Sequence, residues 1–260
     1  MKDLQTELLV VKVGTSTLID EHGKFRHTNF LNLSEEIKNQ KTAEKDVVLI
    51  TSGAISAGED VTGRTRAEFR KDLDGLSALA AYGQVPLMEQ WRGYLEPLMV
   101  AQNLVTSTEL YTPEGPAYLR KLRATILLGG VAIINENDAV ADEEIKFGDN
   151  DQLAASIAVG LQRLGGFSVK LLILSDIAGF YDQHPGDENA RLVHAVHDFD
   201  AAEASIADTD TKRGTGGMRT KILAARIAKQ AGVDTYLGDG SEPQIISLLI
   251  RRNAGTVFYA

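Results

Sequence analysis

Two lysines, an aspartate and several hydroxyl and amide side chains stand where short apolar runs give way to small-residue turns, and such groups are suited to moving a phosphoryl group. Lys12 interrupts the apolar run Val10, Val11, Lys12, Val13, just ahead of Gly14, Thr15 and Ser16. A lysine among aliphatic side chains is costly unless it meets an anion. An edge-strand lysine reaching back to water explains the spacing equally well. No Gly-x-x-x-x-Gly-Lys-Ser/Thr occurs anywhere, so a Walker A loop is excluded.

Four further junctions have the same character. Residues 51–58 read TSGAISAG, small residues that let a backbone approach a ligand and expose free amides at a helix start. Helix capping by Ser52 is the plainer explanation of that turn taken singly. Asn135, Glu136, Asn137 and Asp138 are followed by Lys146, Phe147, Gly148, Asp149, Asn150 and Asp151. Asp149 with Gln152 makes a capping box, yet one helix start needs one cap, and several carboxylates and amides crowd these two junctions. Such a cluster can hold an ammonium group, position a lysine or coordinate a divalent ion. Gly214, Thr215, Gly216, Gly217 and Met218 then lead into a helix that carries Lys221. Glycine-rich turns at helix starts present unpaired N–H groups and positive dipole to phosphate, and helical side chains lean back towards that end. A flexible loop with a solvent lysine is the alternative.

These junctions need a scaffold, and the hydrophobic pattern supplies one. Short apolar runs at residues 8–13, 47–51, 98–105, 131–135, 169–175 and 233–237 read as buried strands. Helical spacing fills residues 28–40, 75–95, 116–128, 150–164 and 217–231, the last carrying Leu223, Ile227 and Ala231 as its apolar stripe. The alternation predicts an α/β fold of parallel strands joined by right-handed crossovers, with ligands beyond the carboxyl ends of the strands. Residues 181–190 read as a surface loop.

Composition narrows the functions. The hydrophobic share of 43% over 260 residues supports one large core. With 27 basic and 36 acidic side chains the formal charge is −9, which repels nucleic acid and anionic membrane. Cysteine is absent, so disulfides and thiolate chemistry are excluded. His22, His27, His184, His194 and His197 lie in polar stretches and match no zinc motif. The mixed-charge amino terminus fits neither a signal peptide nor a membrane anchor, and a cytoplasmic location is expected.

Taken together and in order, these segments resemble the amino-acid kinase family over nearly the whole chain, and within it the branch that phosphorylates glutamate. The most specific matches are TSGAISAG (51–58), INENDAV (134–140), IKFGDND (145–151) and GTGGM (214–218). The resemblance implies a three-layer α/β/α sandwich around a mainly parallel, roughly eight-stranded sheet. It implies a single domain over residues 1–260, with an acceptor part up to about residue 150 and a nucleotide part beyond it. Ser52, Asp138 and Asn150 would then hold L-glutamate. ATP would be bound by Lys12, Gly14, Ser175, Asp176, Thr215, Gly216, Gly217, Met218, Arg219, Thr220 and Lys221. Lys12 and Lys221 would touch the transferring phosphoryl group, Asp151 would orient them, and Mg²⁺ would ride mainly on the ATP phosphates rather than on protein ligands. The product would be γ-glutamyl phosphate, the first intermediate of proline synthesis.

The family usually has Thr at Ser175, a change that keeps the hydroxyl. Aspartokinases and acetylglutamate kinases in this family carry a double glycine after the first-strand lysine, where this chain has Val13 and Gly14. Uridylate kinases have nothing like residues 134–140. Many bacterial members continue into a PUA domain, and a short, kinase-only form is expected here. Feedback inhibition by proline and a homodimer or homotetramer are further expectations from the resemblance. The rival readings are a kinase for another acidic metabolite and a non-catalytic amino-acid sensor.

Overall fold

Leu8 and Val10 are fully buried, and so are their alternates Leu9, Val11 and Val13. Successive strand residues point to opposite faces, so this strand is covered on both sides. It is β1 (Thr6–Val13) of a computed structural model that describes residues 5–69, 72–106, 110, 115–140, 150–207 and 217–260. The other strands are β2 (Asp46–Ile50), β3 (Val100–Val105), β4 (Val131–Glu136), β5 (Phe167–Ser175), β6 (Phe180–Tyr181), β7 (Leu192–Val193), β8 (Ala195–Val196), β9 (Thr235–Asp239) and β10 (Thr256–Phe258). Among the described residues the helices are α1 (Thr15–Leu18), α2 (His27–Thr42), α3 (Ala54–Thr62), α4 (Leu73–Leu95), α5 (Gly115–Leu127), α6 (Asn150–Leu164), α7 (Phe199–Ala207), α8 (Gly217–Lys229) and α9 (Ile245–Ile250).

Among the described residues eight strands form one sheet in the order β3-β4-β2-β1-β5-β9-β10-β8, in which only the β9–β10 pair is antiparallel. One core lies under α5, α6 and α8 and takes Leu8, Val10, Val48, Ile50 and Ile173 from the sheet. The other takes Leu9, Val11, Val13, Leu49 and Leu174, and packs them against Phe30, Leu33, Leu87 and Trp91 of α2 and α4. The three-layer sandwich expected from the sequence is therefore present. From β1 the chain builds outward to β2, β4 and β3 on one side and to β5 and β9 on the other. A parallel sheet that grows both ways from one strand opens a crevice at that strand's carboxyl end. Lys12 is paired in register with Ile50 of β2 and Ile173 of β5, at the floor of this crevice.

The six apolar runs correspond to β1, β2, β3, β4, β5 and β9. The short strands β8 and β10, the β6–β7 hairpin and the short helices α1, α3, α7 and α9 lie outside the expected elements, because segments so brief carry little periodic signal. Residues 182–191 connect β6 to β7, so the surface-loop reading differs only at Tyr181, which is in a strand. The stripe assigned to the last long helix holds at Ile227 and Ala231, which pack partly buried against the core, and is corrected at Leu223, which is exposed, while Lys221, Ile222, Ala224, Ala225 and Ala228 are buried. The alanines present a low face that lets α8 lie close against α6. No described helix is long and apolar enough to cross a membrane.

Helices α3 and α4 cross with almost no side chain between them. A Cβ on Gly58 would stand 1.9 Å from the Leu79 carbonyl oxygen, and one on Gly83 would stand 1.8 Å from that of Ala54. Backbone atoms cannot yield that far, so both positions require glycine. We expect Gly58→Ala and Gly83→Ala each to lose roughly 1–3 kcal/mol or more of unfolding free energy. Gly93→Ala, on the open side of α4 with nothing within 4 Å of its Cβ, should instead gain about 0.5–1 kcal/mol. Urea unfolding of the three variants checks this, and equal effects would show that the close crossing is not tight in solution.

Candidate active site

Lys12 shares the strand face of Leu8 and Val10, the face covered by α6, and Asp151 is the second residue of that helix. Its placement follows from strand alternation plus the start of one helix. Lys12 Nζ lies 2.6 Å from Asp151 Oδ1. The lysine is 8% exposed and sits in a central strand, so the edge-strand reading does not hold. Lys221 reaches the same carboxylate from the first turns of α8. Its Nζ donates to Asp151 Oδ2 at 3.2 Å and to the Gly217 carbonyl at 3.0 Å. It too is 8% exposed, which excludes a solvent lysine. Thr220 Oγ1 donates to Asp151 Oδ2 at 3.2 Å, so both oxygens of the aspartate are engaged. Burial alone opposes ionisation of Asp151, but the two ammonium groups outweigh it and hold the carboxyl down at about 2, below its ordinary 3.8. Two cations against one anion leave a positive centre in the crevice.

A second group of polar side chains adjoins it. Asn150, next to Asp151, donates through Nδ2 to the Thr51 carbonyl at 2.9 Å, to Ser52 Oγ at 2.9 Å and to Asn135 Oδ1 at 3.2 Å. Ser52 does not cap α3. Gly53 occupies the cap position in a left-handed conformation at φ 106°, with no side-chain cap bond, and this turn leaves the Ser52 hydroxyl facing Asn150. Trp91 Nε1 donates to Thr51 Oγ1 at 2.9 Å and anchors the same turn to α4. Among the described residues Asn150 Oδ1, which is buried, has no hydrogen-bond partner, which costs about 1–3 kcal/mol and marks a place for a donor to dock. Asp138 lies close by. It lines an adjacent cavity of about 290 Å³ together with Gln84, Glu136, Asn137 and the apolar wall of Ala54, Ala80, Ala81, Val85 and Leu104.

On the β5 side of Lys12, Gly14 N donates to the Leu174 carbonyl at 3.0 Å, and the position of a Gly14 Cβ is 3.7 Å from Lys12 Nζ. Ser175 is buried at the end of β5 and donates to Asp176 at 3.1 Å, while Asp176 itself is exposed. Gly217 and Thr220 meet Lys221 and Asp151, as just described. Met218 instead packs against the core beneath α8, and Arg219 turns outward, 4.0 Å from Glu203 of α7. Thr215, Gly216 and residues 141–149, Asp149 among them, lie outside the described residues. Among the described residues no group of three or more His, Asp or Glu side chains could hold a metal ion.

The Amino acid kinase family model matches residues 7–239. The chain belongs to the amino acid kinase family. Relatives of the family that it matches include the glutamate 5-kinase of Dictyoglomus thermophilum, 36% identical over 259 residues, which cover 96% of this chain and 67% of the relative. The glutamate 5-kinase of Thermus thermophilus is 37% identical over 264 residues, covering 99% of this chain and 68% of the relative. The chain thus spans about two thirds of these relatives' length. Among solved structures, carbamate kinase from Giardia lamblia bound to AMP-PNP superposes with a TM-score of 0.68 at 16% identity, over 99% of both chains. UMP kinase from Bacillus anthracis gives 0.66 at 14% identity, over 98% of this chain and 96% of that one. At such identities the superpositions show the shared fold alone.

Sequence reasoning passed over Gln84, the role of Asn135 beyond its motif, and the Trp91 anchor. A half-buried glutamine on a long helix has no spacing signature, and only its tertiary partners reveal it. The lysine–aspartate centre has a measurable pH signature. Because the Asp151 carboxyl titrates lower in the folded chain than unfolded, its stabilisation is full above about pH 4 and is lost as pH falls through about 2. Asp151→Asn should cost roughly 3 kcal/mol at neutral pH by stranding two buried ammonium groups. The gap to wild type in urea titrations should close between pH 4 and pH 2, and a gap independent of pH would refute an ionised Asp151.

Proposed function

We propose that the chain transfers the γ-phosphoryl group of ATP to the γ-carboxylate of L-glutamate, releasing ADP and γ-glutamyl phosphate, the first step of proline biosynthesis. The observation that carries this reading is the pair of buried ammonium groups on Asp151, lying between the Ser52–Asn150 cluster and the end of β5. A carboxylate acceptor is already ionised at neutral pH and needs no general base. One of its oxygens forms the new bond to phosphorus as the bond to the β-phosphate oxygen breaks, and no proton moves. The protein's task is to bring two anions together and offset the spreading charge.

Lys12 and Lys221 supply that charge as compact donors, and Asp151 fixes both. Mg²⁺ would neutralise the phosphate oxygens that carry it. Asp151, with both oxygens taken, is not free to ligate it. Asn150 Oδ1 and Asp138 suit the ammonium of a free amino acid. Residues up to about 150 supply this acceptor side, and residues 151–260 the nucleotide side with Gly14, Ser175, Asp176 and the turn before Lys221. Lys12 crosses that division, as the fold requires of a residue on the central strand.

Proline, if it regulates the chain, would occupy the 290 Å³ cavity, where apolar walls meet Asp138, and compete with glutamate. Self-association is supported by apolar side chains left at the surface, Tyr82, Val85, Met99, Leu127 and Leu128 among them. A cytoplasmic location fits the lack of cysteine and the soluble substrates.

A coupled assay of ADP release tests the reading. Free L-glutamate should be used in preference to aspartate and N-acetylglutamate, since acetylation removes the ammonium, and equal turnover of all three would refute the acceptor assignment. Lys12→Met and Lys221→Met, checked for folding by circular dichroism, should each lower kcat by roughly 10²–10³. Near-normal kcat in both would end the phosphoryl-transfer mechanism.

A further inference from the structure

The acceptor-side amides form one relay drawn from three elements and the turn after β2. The Thr51 carbonyl, fixed by the backbone, takes a hydrogen from Asn150 Nδ2, which also donates to Asn135 Oδ1. Asn135 Nδ2 in turn donates to Gln84 Oε1 at 2.9 Å. Each amide is held in one of its two orientations by its neighbour. A flipped Asn135 would set its NH₂ against that of Asn150 and its carbonyl against that of Gln84. Asn135 is 2% exposed and Asn150 9%, so water does not compensate a broken link.

Gln84 is itself held in place by backbone contact. Its neighbour Gly83 rests on the Ala54 carbonyl, two residues beyond Ser52, at the crossing of α3 and α4. The glutamine is therefore in register with the Ser52 turn, and its oxygen meets the buried NH₂ of Asn135.

We propose that Gln84 is a positioning residue for the acceptor. By holding Asn135, it keeps Asn150 Nδ2 on the Thr51–Ser52 turn and leaves Asn150 Oδ1 as the acceptor for the substrate ammonium. This rests on the proposed acceptor role of Asn150. Gln84 takes no part in phosphoryl transfer itself, so its loss weakens binding that exists before and during the reaction alike.

Gln84→Met keeps the volume and removes the oxygen. It should raise KM for glutamate about fivefold, the scale of one neutral hydrogen bond, with kcat and KM for ATP within about twofold. Gln84→Glu, which retains an oxygen in that position, should restore most of the affinity. In an Asn150→Ala background, Gln84→Met should add nothing further, because the two act on one contact. If Gln84→Met fails to fold, Gln84→Asn withdraws the oxygen and carries the same expectation. Unchanged KM in the folded variant, a fall in kcat alone, no rescue by Gln84→Glu, or additive effects in the double variant would each overturn the proposal. Asn150→Ala separates the two levels. A raised KM there with a normal Gln84→Met refutes the relay alone, and a normal KM in Asn150→Ala refutes the acceptor reading and this inference together.

Discussion

One buried carboxylate facing two buried ammonium groups is the constraint around which this molecule is organised. Lys12 comes from the first strand, Asp151 from the start of α6 and Lys221 from α8, so the centre forms only when sequence-distant elements have packed. Burial of any one of these charges alone would be prohibitive, and burial of all three is tolerable because the aspartate contacts both lysines. The hydrogen bonds that Thr220 and Gly217 add around the pair tie the charge to the amino-terminal end of α8. The excess positive charge at a helix start is a local condition that phosphate satisfies better than water does.

The neighbouring amide cluster is built by different means. In the proposed acceptor role it would recognise a small zwitterion without presenting an uncompensated charge to the lysines. Amides do this well, since they offer donors and acceptors while carrying no net charge. Their weakness is that each can flip, and the protein answers by chaining them from the Thr51 carbonyl to Gln84. The glycine contacts between α3 and α4 then become part of the site, because any separation of those helices would lift Gln84 from Asn135.

Much of this was legible in the sequence where a residue contradicted its surroundings. Lys12 inside an aliphatic run, and glycines and hydroxyls at successive strand ends, pointed to the crevice as a set, although an edge strand or a helix cap explained each of them taken singly. The central strands were readable because burial on both faces makes them continuously apolar. The failures share a physical cause as well. Ser52 fits a helix cap by type, but the left-handed Gly53 takes that position, and backbone conformation is not written in residue type alone. Leu223 fits a helical stripe by spacing, but the face of α8 that packs inward carries Ile222, Ala224, Ala225 and Ala228 instead. Gln84 carries no local signal at all, since its meaning lies in Asn135, 51 residues away.

The net charge of −9 gives the positive centre a further consequence. Both ligands of a carboxylate kinase are anions, and an acidic surface repels them at long range. Screening confines that repulsion to about 10 Å at moderate ionic strength, whereas the lysines act at contact distance in a site with little water. Attraction therefore has to be concentrated at the carboxyl end of β1 rather than spread over the surface. A lysine on the outside would attract any anion weakly, while two lysines held beneath the crevice by Asp151 favour an anion that fills the crevice. Buried placement exchanges general attraction for selectivity, and the topology allows it because the one strand from which the sheet grows both ways is also the one that carries Lys12.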